Sequence, residues 1–198
     1  MGLSEAARRR EGRRPAFITA GKIAIAGLIV AILGCGFFPL HVLKIDAIRK
    51  NETVYMRVVR PDDRLAIGFI HSVEHCPVRD FFTIDRAYRL VLRETTFASS
   101  NTGLPYYCRP GETFANEGKQ FRIGNRRIVF SSIDLWVDQK YDNVLLFGNE
   151  EALQLPSLAG NTLLRVSTAE ITAARYLFLK AKTLSLQSQG GTLWKKAF

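Results

Sequence analysis

Eleven residues, Ile70 to Asp80, read IHSVEHCPVRD and gather two histidines, a serine, a glutamate, a cysteine and an aspartate into one stretch. His71, Ser72, Val73, Glu74 and His75 satisfy H-x-x-E-H, which in one class of zinc peptidases sets two histidines and a carboxylate on one face of a helix. That chemistry requires a helix. Residues 65–70 alternate as a strand does, and Pro77 follows His75 by two residues, so no helix has room to develop through the motif. In an extended chain His71, Val73 and His75 face one way while Ser72, Glu74 and Cys76 face the other, which separates the glutamate from both histidines. A closed zinc site wants four ligands, and the one further histidine, His41, lies at the end of an apolar N-terminal run. Ser72 beside His71, and Cys76 beside His75, point apart for the same reason, and no G-x-S-x-G elbow is present. Phosphate-cradling loops, dinucleotide fingerprints and the basic-aromatic alternation of nucleic-acid-binding sheets are absent, and Asn125-Arg126-Arg127 reads as a solvated strand edge. No catalytic residue, metal site, cofactor or nucleic-acid partner is expected, and the chain is read as a non-enzyme.

The elements around this stretch are short and have a period of two. Residues 53–59, 64–71, 81–84, 88–97, 127–130, 144–147 and 162–166 are rich in β-branched and aromatic side chains. Turn chemistry bounds them at Pro61-Asp62-Asp63, Asp85-Arg86, Asn101-Thr102-Gly103 and Gly124-Asn125. The pattern predicts a mainly β domain over 44–168, an antiparallel sandwich or barrel. In the C-terminal extension, 169–198, Ile171, Ala174, Leu177, Phe178 and Ala181 recur at helical spacing, with a terminal strand as the competing reading. The final residues, from Gln187, read as a loose tail.

The 198 residues carry a formal charge of +10, but much of the excess sits at the start. Residues 1–22 hold Arg8, Arg9, Arg10, Arg13, Arg14 and Lys22 against Glu5 and Glu11. An uncharged run, IAIAGLIVAILGCGFF, follows from Ile23 to Phe38 and continues into Pro39-Leu40 and Val42-Leu43. This is the short end of what crosses a hydrocarbon core about 30 Å thick. Arginines before it and no matching cluster after it place the N-terminus in the cytoplasm and the remainder outside. Residues 23–43 are therefore expected to form a single anchor in the inner membrane, with a periplasmic domain behind it. Phe37, Phe38 and Pro39 disfavour cleavage after the run. Lipidation at Cys35 is the competing reading, against which Leu33 and the apolar residues after the cysteine both speak.

An exported domain meets a compartment in which disulfides persist. Cys76 and Cys108 are the two cysteines beyond the anchor. A bridge between them is favoured by compartment and count; two separate buried thiols is the alternative.

The segment Phe69-Ile70-His71-Ser72-Val73-Glu74, followed by Pro77-Val78 and Asp80, resembles the H-S-V-E-x-x-P-V-x-E-x-F signature of the family catalogued as domain of unknown function 1850. Residues 92–99, with Glu94, Phe97 and Ser99, and then Asn101-Thr102-Gly103-Leu104-Pro105, are similar to that family's E-x-x-F-x-S and G-A-G-L-P segments. Asp80 stands where the family usually has glutamate, and Asn101-Thr102 replaces Gly-Ala. The resemblance spans about 44–166. It implies a small exported or membrane-anchored bacterial protein encoded beside TAXI-type TRAP transporters, and hence an accessory role in solute uptake. The partners so implied are membrane lipid, the TRAP permease and the TAXI substrate-binding protein. His71, Ser72, Glu74, Asp80 and Glu94 would form a polar cluster at a sheet end, closed by the Gly103-Leu104-Pro105 turn. It would serve as a docking surface or, in the rival reading, as a small-ligand or enzymatic site. The plainer role for Ser72 and Glu74 is to satisfy backbone groups of the following loop.

Overall fold

The computed structural model describes residues 25, 27, 34, 36–73, 75–98, 108–118, 120–148 and 152–190, with side chains as far as 183. The basic segment 1–22, nearly all of the apolar run, Cys35, Glu74 and Gly103-Leu104-Pro105 lie outside these residues.

The protein is mainly β, and every strand pairing is antiparallel. A four-stranded sheet has the order β2 (Glu52–Val58), β1 (Pro39–Ala47), β12 (Thr162–Thr172), β9 (Ser132–Val137). The larger sheet runs β11 (Leu153–Gln154), β10 (Val144–Phe147), β3 (Arg64–Ile70), β4 (Pro77–Ile84), β5 (Leu90–Phe97), β7 (Phe121–Gly124), β6 (Thr113–Asn116). The short β8 (Ile128–Phe130) also pairs with β5, alongside Leu90 to Leu92, while β7 takes the stretch from Thr95 to Phe97. β7 and β8 thus share one edge of β5, with residues 125–127 in the gap between them.

Alternation decides what each face buries. Leu43, Ile45 and Ala47 of β1, Leu164 and Val166 of β12, Leu65 and Ile67 of β3, and Phe82 and Ile84 of β4 belong to one apolar cluster, so both sheets contribute to the main core. The β1–β2 register shifts between Ile45 and Asp46, a bulge that turns both Val54 and Tyr55 toward that cluster. Cys76, Val78, Phe97 and Ile123 form a second, smaller cluster at the far end of the larger sheet, with Phe69, Cys108 and Phe121 packed against it.

Two expected boundaries move. Residues 39–43, read from hydropathy as the end of the anchor, are the start of β1: Val42 and Leu43 are fully buried. An apolar run followed without a break by a buried strand gives hydropathy nothing with which to separate them. The domain likewise does not stop at 168, because β12 runs to Thr172 in unbroken register with β1, from Ala47↔Leu164 to Pro39↔Thr172. Helix then begins at Ala173 and continues to Gly190, so residues 169–172 satisfy the strand reading and those after them the helical one. That helix folds back on the outer side of the smaller sheet, where Lys180 Nζ donates to the Met56 carbonyl at 3.3 Å and Thr183 is buried. Among the described residues no helix is long and apolar enough to cross a membrane.

Leu43→Ala is expected to cost about 3 kcal/mol, since a fully buried leucine loses both its transfer energy and the packing around it. Urea unfolding checks this, and a loss below about 1 kcal/mol would mean that β1 is not central to the core.

Candidate functional site

The H-x-x-E-H match sits in a hairpin loop and not in a helix. Ile70 pairs with Pro77, the His71 amide donates to the Cys76 carbonyl at 2.9 Å, and the His75 amide donates to the His71 carbonyl at 2.9 Å. His75 closes the loop with φ of +50°, a left-handed conformation that histidine tolerates better than most residues. Pro77 follows as the first strand residue, where its missing N–H costs nothing. Ser72, Val73 and His75 are exposed at the loop, whereas Cys76 and Val78 are buried.

The residues expected to cluster part company at β4. Val78, Asp80 and Phe82 face inward in alternation, while Arg79, Phe81 and Thr83 face outward. Asp80 is therefore half-buried on the inward face, whereas His71 and Ser72 belong to the exposed loop. Glu94 pairs opposite Phe81 and faces outward, with Arg122 at 3.8 Å. The expected cluster does not form from His71, Ser72, Asp80 and Glu94. Cys76 and Cys108 are free thiols, although both meet the same small apolar cluster, so the bridge gives way to the reading of two unpaired thiols that pack as small hydrophobes.

What surrounds Asp80 is a chain of polar side chains between the two apolar clusters. The Thr95 hydroxyl, directly opposite across the β4–β5 pair, donates to Asp80 Oδ1 at 2.6 Å and accepts from Arg126 Nη1 at 2.6 Å. Arg126 Nε donates to Glu112 Oε1 at 3.1 Å, and the second Glu112 oxygen accepts the Arg109 amide at 3.0 Å. The Thr95 hydroxyl thus uses its proton toward the carboxylate and its lone pair toward the guanidinium, so every step of the chain has a sensible direction. The Arg126 and Glu112 side chains are only 14% and 8% exposed.

Local geometry explains how Arg126 gets there. Asn125, with φ of +54°, ends β7 and anchors its side-chain amide on the Gly111 carbonyl at 2.6 Å. The next residue enters the gap between β7 and β8, and its amide bonds to the Arg93 carbonyl at 3.0 Å, where the β4–β5 register shifts. Arg126 is therefore buried and paired, not a solvated strand edge. Thr95, Arg126 and Glu112 were not legible as site residues; the left-handed tendency of Asn125 is the one sequence signal that marks the turn.

Burial pushes the Asp80 carboxyl above its ordinary value of 3.8, and the Thr95 hydrogen bond and the Arg126 charge offset this only in part. At Glu112 desolvation also pushes upward, but the Arg109 amide, the Arg126 hydrogen bond and the two guanidinium charges outweigh it and hold the carboxyl below 4.5. The chain can hold a proton on Asp80 more readily than on Glu112. Among the described residues no three histidines, cysteines or carboxylates come together as metal ligands.

The model of the family described as "Domain of unknown function (DUF1850)" matches residues 65–153. The chain contains a DUF1850 domain. The match runs from β3 to β11 and holds the hairpin loop and the whole polar chain from Asp80 to Glu112. No curated protein and no solved structure matches the chain.

A folded-state pKa raised at Asp80 means that its contribution to stability is complete below 3.8 and is lost as pH rises through the raised value. Asp80→Asn, which keeps an acceptor for Thr95, should therefore gain stability relative to the parent as pH rises across that window. Urea midpoints from about pH 3.5 to 7 measure it, and a difference that stays flat or shrinks refutes the assignment. Arg126→Met, which leaves two shielded carboxyls without their cation, should cost about 2 kcal/mol or more. A smaller loss in the same unfolding assay would show the chain to be solvated.

Proposed function

We propose that this DUF1850 protein is a non-enzymatic, membrane-anchored accessory subunit of a TAXI-type TRAP solute uptake system. Its two-sheet, sandwich-like domain stands in the periplasm behind one N-terminal transmembrane helix. The observation that carries the membrane part is an apolar collar at one end of the smaller sheet. Phe37 and Phe38 are 77% and 64% exposed where the apolar run passes into β1, and Leu177 and Phe178 are 66% and 71% exposed on the helix that leaves β12 beside it. The two chain segments meet there: the Ala173 amide donates to the Phe38 carbonyl at 2.9 Å, and a Cβ on Gly36 would stand 3.5 Å from that of Ala174. Exposed apolar side chains next to an apolar run gain from burial in lipid, at roughly 25 cal/mol for each Å2 removed from water.

The transporter part rests on the family resemblance. A role as docking partner is favoured over catalysis because His71 and Ser72 sit on an exposed loop while the half-buried Asp80 faces inward, so among the described residues the motif's reacting groups do not share one space. The exposed Ser72, Val73 and His75 offer a protruding edge that a permease loop or a binding protein could meet.

Deleting the gene should lower the level of the neighbouring permease or its uptake rate, and restoring the full chain should recover it. Unchanged permease and uptake would remove the accessory role. Topology has its own test: protease added to spheroplasts should digest a C-terminal tag and spare an N-terminal one, and the reverse pattern would overturn the orientation.

A further inference from the structure

The outward face of the larger sheet carries a depression of about 670 Å3, within the range of small-ligand sites. Its floor is apolar. Phe81 lies on β4 between Ala66 of β3 and Glu94 of β5, and Leu146 of β10 stands next to Ala66. Its rim is basic: Arg64, Arg79 and Arg93 all line it. Thr83 sits between two of them, opposite Arg64 across the β3–β4 pair and accepting a 2.9 Å hydrogen bond from Arg93 Nε, which fixes that guanidinium at the rim. Among the described residues of the lining Glu94 is the one acidic side chain, and it already has Arg122 at 3.8 Å. Elsewhere on the surface arginines face carboxylates, as in Arg89–Asp85 and Arg165–Asp134. Arg64 and Arg79 have no such partner among the described residues.

We propose that this depression binds a small organic anion, one with a carboxylate for the arginine rim and an apolar body for the Phe81 floor. Arginine presents a planar fork that matches a carboxylate with two parallel hydrogen bonds. Clustered guanidiniums with too few protein carboxylates repel one another and gain from a bound anion. An inorganic ion would satisfy the rim but leave the aromatic floor in water, so the pairing selects a carboxylate on a hydrocarbon or aromatic frame. The site is separate from the membrane collar and from the hairpin loop, and it stands whether or not the chain serves a transporter.

Phthalate is a suitable probe, with neutral phthalamide as the control for charge. Calorimetric titration of the full-length chain in neutral detergent should show saturable phthalate binding that phthalamide does not reproduce. Arg79→Gln and Arg64→Gln should each weaken it about tenfold, the size expected for one charged hydrogen-bonding partner. Phe81→Ala should weaken it while leaving its salt dependence in place, and Arg175→Gln, on the C-terminal helix, should leave it unchanged. Thermal melts of each variant establish that it is folded, and Arg79 and Arg64 lie on the solvent side, so at least these two report on binding. No saturation below about 10 mM, equal binding of phthalamide, or equal losses in Arg175→Gln and Arg79→Gln would each overturn the site.

Discussion

Everything in this fold hangs on β1 being paired along both edges. Its nine residues run in register with β12, and its other edge holds β2. These three strands lie outside the region that matches the family, yet they supply Leu43, Ile45, Ala47, Val54, Leu164 and Val166 to the main cluster. The matched segment contributes the larger sheet and β9. Alone it would leave the inward faces of β3, β4 and β5 open to water, at roughly 25 cal/mol for each Å2 of apolar surface. The chain therefore closes only when its early and late strands meet, a long-range pairing that links residues near 40 to residues near 170.

The polar chain from Asp80 to Glu112 sits where the two apolar clusters would otherwise merge. Burying such groups stabilises little in itself, because desolvation offsets most of the attraction. Its effect is on register. A slip of one residue between β4 and β5 would turn Asp80 to the outward face, away from Thr95 and Arg126, and would bring Arg79 inward. The bulge at Arg93, the left-handed Asn125 and the break between β7 and β8 all serve the same placement, so three local irregularities converge on one guanidinium.

Most strands were legible because alternation survives burial on one face. Residues 144–147 form β10 with the bounds read from sequence, 53–59 is offset from β2 by one residue at each end, and 64–71 overruns β3 by one. β1 was hidden by its continuity with the apolar run. β6 and β7 were missed because each is only four residues long and Thr113–Asn116 is mostly exposed, and β9 because Trp136, exposed beside Leu135 and Val137, interrupts an otherwise regular alternation. That no helix runs through the His71 loop followed from Pro77 and the preceding alternation, but its hairpin turn did not, because the stretch reads as extended. The partners of Asp80 did not, since Thr95, Arg126 and Glu112 are brought together by tertiary pairing that no spacing encodes.

The way the apolar run enters the domain has a mechanical consequence. It joins β1 directly at Pro39, so a pull on the N-terminal segment acts along the axis of the central strand. The hydrogen bonds to β2 and β12 lie across that direction and would be strained all together, in shear. A pull on the C-terminal helix would instead lift it from the sheet one contact at a time. The anchor proposed above would thus hold the domain by both seams of β1, and a force that peels away the C-terminal helix would leave those seams intact.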